Sequence, residues 1–147
     1  MSGRGGGVSL FIRDSLSLVS EPIKIDLPYL QIIKADYGNF ILMLVYRSPS
    51  RNTYPELVDH LLELTPAEGP VLIMGDFNIH PKENNDHYES IIKRMENQGF
   101  LQIIDKPTHK EGHMLDHVYV RSIEIAGWNF HHPYYSDHDA ICLRANL

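Results

Sequence analysis

Cysteine is almost missing from this 147-residue chain: Cys142 has no second thiol to pair with. That excludes an internal disulfide framework, argues against a cysteine-based zinc site, and favours a reducing, intracellular setting. Long apolar runs are missing as well. The longest, residues 40–46, falls far short of a bilayer span, and residues 1–7 are polar and glycine-rich with no signal-peptide core behind them. No membrane partner is expected. Positive charge is in deficit, with 13 Lys and Arg against 19 Asp and Glu and a formal net charge of −6. Composition therefore does not suggest a sequence-blind basic sleeve for nucleic acid, and any such contact has to come from local basic loops. Apolar residues make up 43% of the chain, enough for one core. No repeat, low-complexity tract or linker divides it, so residues 1–147 read as a single domain.

Three segments near the start, 8–13, 30–36 and 40–47, are short, rich in apolar and β-branched residues, and separated by Pro, Gly, Asn and Asp. They predict three successive strands, an opening meander. In 40–47 both alternating faces are apolar up to the end, which predicts a central strand covered on both sides, with Tyr46 and Arg47 emerging at an edge. Thr53 is the predicted cap of a helix with Pro55 and Glu56 in its first turn and Leu57, Val58, Leu61 and Leu62 on one side, running to about Leu64. A buried strand at 71–74 runs into Gly75-Asp76-Phe77-Asn78. A second helix starts near Asp86, carries Tyr88, Ile91, Ile92 and Met95 on one face, and stops at Gly99. Further strands are expected at 101–104, 115–121 and 140–144, with a weaker one at 128–130.

Polar clusters interrupt apolar strands at three strand ends, where a sheet holds functional groups on a rigid base. In an extended stretch Asp76 and Asn78 point to one side, pairing an acceptor-only carboxylate with an amide donor, as needed to orient a water and hold a phosphate oxygen. The plainer alternative is a turn in which both bond local backbone. Asp116 alternates with the core-facing Val118 and Val120, and an ionised carboxylate there needs a cationic or hydrogen-bonding partner. A nearby Lys or Arg would serve. So would His138, which sits in Ser136-Asp137-His138-Asp139 just before the apolar 140–143. There Asp137 offers a metal-binding carboxylate and His138 an imidazole whose tautomer Asp116 would fix; a solvated acidic loop is the alternative.

Taken together, Tyr46-Arg47-Ser48-Pro49, Gly75-Asp76-Phe77-Asn78, Leu115-Asp116-His117 and Ser136-Asp137-His138 stand in the order in which the endonuclease/exonuclease/phosphatase superfamily carries its motifs, and the chain resembles that superfamily. Pro107-Thr108-His109 ahead of Leu115-Asp116-His117-Val118-Tyr119-Val120, and Tyr134-Tyr135 ahead of Ser136-Asp137-His138, look most like the endonuclease domains of mobile elements, of the non-LTR retrotransposon or Helitron-associated type.

The resemblance implies an α+β, deoxyribonuclease I-like fold: a β-sandwich flanked by helices in four layers, α/β/β/α. It covers the family's later two thirds, without the first strands and the glutamate that anchors the metal; the partners implied are that missing N-terminal segment or the rest of a polyprotein. A sheet left without those strands is expected to expose apolar surface and an unpaired edge. By the same resemblance, Asp76 orients or deprotonates the attacking water and Asn78 holds the scissile phosphate. Asp116 orients His138, which stabilises charge on the phosphoryl group. Asp137 helps to hold Mg²⁺ or Mn²⁺, and Tyr46 contacts phosphate or forms the site wall. Arg47 and Arg51 in one loop, and Lys106 and Lys110 in another, are the candidate contacts to a nucleic-acid backbone.

The activity implied is metal-dependent phosphodiester hydrolysis, nicking DNA for a mobile element in an intracellular, nuclear setting. The alternatives are a phosphatase or lipid phosphodiesterase on the same fold, or a catalytically silent interaction domain. His80, His109, His113, His117, His131 and His132 lack a recurring ligand spacing and are not read as a zinc cluster.

Overall fold

A computed structural model describes residues 6–49 and 54–147. Its centre is a six-stranded sheet in the order β1-β2-β3-β4-β6-β5, built from β1 (Ile23–Leu27), β2 (Leu30–Asp36), β3 (Ile41–Arg47), β4 (Val71–Asp76), β5 (Leu101–Gln102) and β6 (Asp116–Arg121). The meander β1–β2–β3 is antiparallel. Between β2 and β3 the Asp36 carboxylate accepts the Gly38 N–H at 2.8 Å, and Gly38 takes a φ of 87°, which a side chain would strain. From β3 the chain crosses through α1 (Tyr54–Leu64) to β4, which pairs with β3 in parallel. It then passes through α2 (Asn85–Glu96) and the short β5 to reach β6, antiparallel to β4.

Register sorts the sheet's side chains onto two faces. On one, Leu30, Ile32, Met43, Val45, Val71, Ile73 and Tyr119 meet Leu57, Val58 and Leu61 of α1 and Ile91 and Met95 of α2, forming the main core. Complete burial of side chains this size stabilises by about 1.5–3 kcal/mol each relative to exposure. The other face presents Leu42, Leu72, Met74, Val118 and Val120. A two-stranded ribbon, β7 (Glu124–His131) and β8 (Ala140–Asn146), lays Ile125, Phe130, Ile141 and Leu143 over it. Trp128, paired with Leu143 on the ribbon's inner side, stays 40% exposed, so the ribbon covers the sheet incompletely. The result is an α+β architecture of helices, large sheet and second sheet. Among the described residues, no helix is long and apolar enough to cross a membrane.

Residues 8–13 do not form the expected strand. A strand exists only through a partner's hydrogen bonds, and this segment donates the Val8 N–H to the side chain of Gln31 and accepts the Leu16 N–H at Arg13 O, neither of them a ladder bond. The first strand of the meander is instead β1, which the sequence reading passed over. β7 is eight residues long where three were expected, with a register shift between Ile125 and Gly127. Thr53, the predicted cap of α1, lies outside the described residues.

Candidate active site

Strand register builds the site. Tyr46 pairs with Asp76 across β3 and β4, and Asp76 with Asp116 across β4 and β6, so the three side chains stand in one row on the ribbon side of the sheet. Opposed residues on neighbouring antiparallel strands hold their Cβ atoms about 4.5–5.5 Å apart, which brings two carboxylates together. Gly75 is what lets β4 lie this way. Its φ is 150°, and a Cβ there would fall 1.9 Å from the carbonyl oxygen of Val45. The close approach at this glycine is made by the backbone of β3.

His138 reaches the row from the loop before β8. Its Nδ1 lies 2.7 Å from Asp116 Oδ2 and its Nε2 lies 3.7 Å from Asp76 Oδ2. The first is a charge-assisted hydrogen bond; the second is too long for one, so Nε2 stays available to a ligand oxygen. Asp76 Oδ1 accepts the Asn78 N–H at 3.0 Å. Burial, and then the Asp116 charge, push the Asp76 carboxyl up to about 6, against the opposing pull of His138, the Asn78 N–H and Arg47. For His138, burial pulls downward, but the Asp116 hydrogen bond and the charges of Asp116, Asp76 and Asp137 outweigh it and hold the imidazole above its ordinary value. Asp137 sits at the lip, 53% exposed, with Oδ2 3.1 Å from His109 Nε2; that bond holds its carboxyl below the usual range.

A family model described as endonuclease-reverse transcriptase matches residues 40–142, the stretch that carries these groups. The chain belongs to the endonuclease-reverse transcriptase family. It therefore falls within the endonuclease/exonuclease/phosphatase superfamily, with its deoxyribonuclease I-like fold. No curated protein matches the chain. Among solved structures, the endonuclease domain of TRAS1, a telomere-specific non-LTR retrotransposon, aligns with TM-score 0.60 and 14% identity over 82% of this chain and 65% of that one. CdtB, the biologically active subunit of cytolethal distending toxin, aligns with TM-score 0.61 and 17% identity over 82% and 55%. A Cimex nitrophorin in a ferrous NO complex aligns with TM-score 0.56 and 13% identity over 91% and 66%. The chain thus spans 65% and 55% of the first two, and likeness at these identities fixes the fold alone.

The endonuclease-reverse transcriptase family is generally divalent-metal dependent, and the donor set here fits a hard cation. Two carboxylates stand in facing register with one imidazole between them, while Asp137 offers exposed oxygen at the lip. Histidines also gather nearby. His80 and His113 stack at 4.6 Å, and with Glu83 they bring ligand atoms within 4.8 Å of one another. His80 Nδ1 accepts the Met114 N–H at 3.3 Å, so the neutral ring carries its proton on Nε2 and binds an ion there only by giving up that bond.

Other expected site residues fall differently. Asn78 is not extended: its φ is 50°, and its side-chain amide donates to the Arg47 carbonyl at 2.6 Å, tying the loop after β4 to the end of β3. Tyr46 is half-buried in the wall, with Gly6 packed on its ring. Arg47 does not emerge at an edge to meet nucleic acid. It is 1% exposed, donating from Nε to Phe77 O and from Nη2 to Asn78 O, each at 2.7 Å, with its guanidinium 4.3 Å over the Tyr54 ring. Arg51 lies outside the described residues. Lys106 and Lys110 are exposed; Lys106 Nζ rests 3.9 Å over the Phe130 ring, and the Lys110 N–H donates to Asp137 O at 2.8 Å. His117 is buried, its Nε2 shared between Ile79 O and Met114 O.

Sequence reasoning assigned no role to Thr108, a fully buried residue whose Oγ1 accepts the Leu115 and Asp116 N–H groups at 3.2 and 3.0 Å and so pins the start of β6. A threonine inside a polar loop carries no sign of which backbone amides it will meet.

Proposed function

We propose that this chain carries the catalytic face of a metal-dependent DNA endonuclease that nicks DNA for a mobile element. The family's nuclease and phosphodiesterase chemistry supports the reaction class. The observation that carries the finer reading is the His138 imidazole, hydrogen-bonded to Asp116 with its other nitrogen directed at Asp76.

Above about pH 6 the Asp76 carboxylate is ionised and accepts a proton from the attacking water. The water oxygen bonds to phosphorus, the ester P–O bond breaks, and the leaving oxygen takes a proton from solvent. Asp116 holds the Nδ1 proton of His138, so the charged imidazole donates Nε2–H to a non-bridging phosphoryl oxygen as negative charge builds there. Asn78 and Tyr46 border the phosphate, and Lys106 and Lys110 contact the DNA backbone beyond it. Asp137 would help to hold Mg²⁺ or Mn²⁺, which when bound supplies charge neutralisation at the phosphate. In this reading the chain works in the nucleus.

Relaxation of supercoiled plasmid with Mg²⁺ or Mn²⁺ tests the proposal. Asp76→Ala and His138→Ala should each lower nicking at least about a hundredfold, and unchanged rates in both would remove the site assignment. A binding role without hydrolysis has one observation in its favour, the same fold in a nitrophorin; it predicts DNA binding with no relaxation by the unaltered chain.

A further inference from the structure

The loop at 105–113 grips the loop that carries Asp137 and His138. Lys110 N–H donates to Asp137 O at 2.8 Å, Asp139 N–H donates to Thr108 O at 2.7 Å, and His109 and His138 form a backbone bridge. His109 adds a side chain to this grip. Its ring is mostly sheltered, 11% exposed, and stands edge-on to the His138 ring with centroids 5.0 Å apart.

Both nitrogens of that ring have neighbours, and one settles the state of the other. Nδ1 accepts the backbone N–H of Glu111 at 3.2 Å. An imidazole nitrogen that accepts carries no proton, so a neutral His109 bears its hydrogen on Nε2. Nε2 is the atom 3.1 Å from Asp137 Oδ2. The pair is therefore a donor with its acceptor. The same protonation argues against a competing use, since ligand atoms of His109, Asp137 and His138 lie within 4.8 Å of one another, close enough to share a transition ion. A ring with its proton on Nε2 has no lone pair there to offer.

We propose that His109 is a positioning residue: through Nε2–H it fixes the Asp137 carboxylate, with one oxygen restrained and the other left for the metal. This rests on the nuclease reading for its consequence but not for the contact itself. The backbone N–H of Glu111 sets the tautomer, so the orientation of Asp137 is built into the turn at 109–112.

Two measurements on the whole chain test this. Long-range ¹H–¹⁵N spectra of the metal-free protein should show His109 protonated on Nε2, and Asp137→Ala should move the His109 Nε2 signal. A proton on Nδ1, or a signal indifferent to Asp137→Ala, overturns the proposal. For the consequence, glutamine places an amide N–H near the position of the imidazole Nε2, whereas leucine places none. His109→Gln should nick plasmid within about threefold of the unaltered chain and His109→Leu at least about tenfold slower, with the two variants melting at matched temperatures. Equal losses in both, or none in His109→Leu, also overturn it. A chain that nicks no DNA at all counts against the nuclease reading instead and leaves the spectroscopic result standing.

Discussion

Asp76 should stabilise the protein when it is removed. Burial and the facing Asp116 raise its carboxyl from an ordinary 3.8 to about 6, a difference of about 3 kcal/mol between its neutral and ionised forms in the fold. With its side chain 22% exposed, solvent screening trims this to about 2 kcal/mol. The sign follows from proton binding. The folded chain keeps this proton to higher pH than the unfolded chain does, so the group's contribution is full below about pH 3.8 and lost as pH rises through about 6. Asp76→Asn removes the charge but keeps an oxygen for the Asn78 N–H. In EDTA at pH 8 the variant should melt about 4–8 °C above the unaltered protein, with the gap closing toward pH 4. Thermal melts across pH 4–8 are the assay, and a variant that melts at or below the unaltered protein at pH 8 refutes the crowding of Asp76 by Asp116.

Gly75→Ala should be among the most damaging single changes, because a methyl 1.9 Å from the Val45 carbonyl oxygen forces β3 and β4 apart. A loss of about 3 kcal/mol or more should appear as a Tm fall of about 6–12 °C or as insoluble protein, and a near-normal melt would contradict the β3–β4 register. Arg47→Met should lower stability by about 3 kcal/mol or more, since charge-assisted bonds to Phe77 O and Asn78 O are lost. Chemical denaturation checks this; unchanged stability with weakened DNA binding would return Arg47 to the surface role. His117, which burial pulls down to about 4, contributes stability that is present above about pH 6.5 and lost as pH falls through about 4, worth about 3 kcal/mol. Urea midpoints should fall over that range and fall less steeply in His117→Gln, and an imidazole titrating near 6.5 by NMR would rule the burial out.

Much of this arrangement is legible in the amino-acid sequence, for reasons particular residues make plain. Alternation across 40–47 and the polar groups at the ends of 71–74 and 115–121 mark strands that share one sheet, and a carboxylate on Asp116's apolar face demands a partner, which His138 supplies. Gly99, with a φ of 85°, ends α2 as expected. What escaped depends on contacts that sequence does not encode locally. Val8 to Arg13 has strand composition but no ladder partner, whereas β1 alternates cleanly (Ile23, Ile25 and Leu27 against Lys24 and Asp26) between two prolines that suggest loop. The register shift at Ile125 and Gly127 breaks the period that would have exposed β7. Arg47 looks like a surface cation because its partners are backbone carbonyls thirty and thirty-one residues away. Thr108 and His109 act across loops, where side-chain identity alone shows neither donor nor acceptor.

The most direct test is to follow the His138 imidazole by NMR through a pH titration, in the unaltered chain, in Asp116→Asn and in Asp76→Asn. If these groups form one electrostatic unit, His138 titrates above the ordinary histidine value of about 6.5 and drops in both variants, furthest in Asp116→Asn. An imidazole that titrates at the ordinary value and ignores both substitutions would mean that these side chains do not meet.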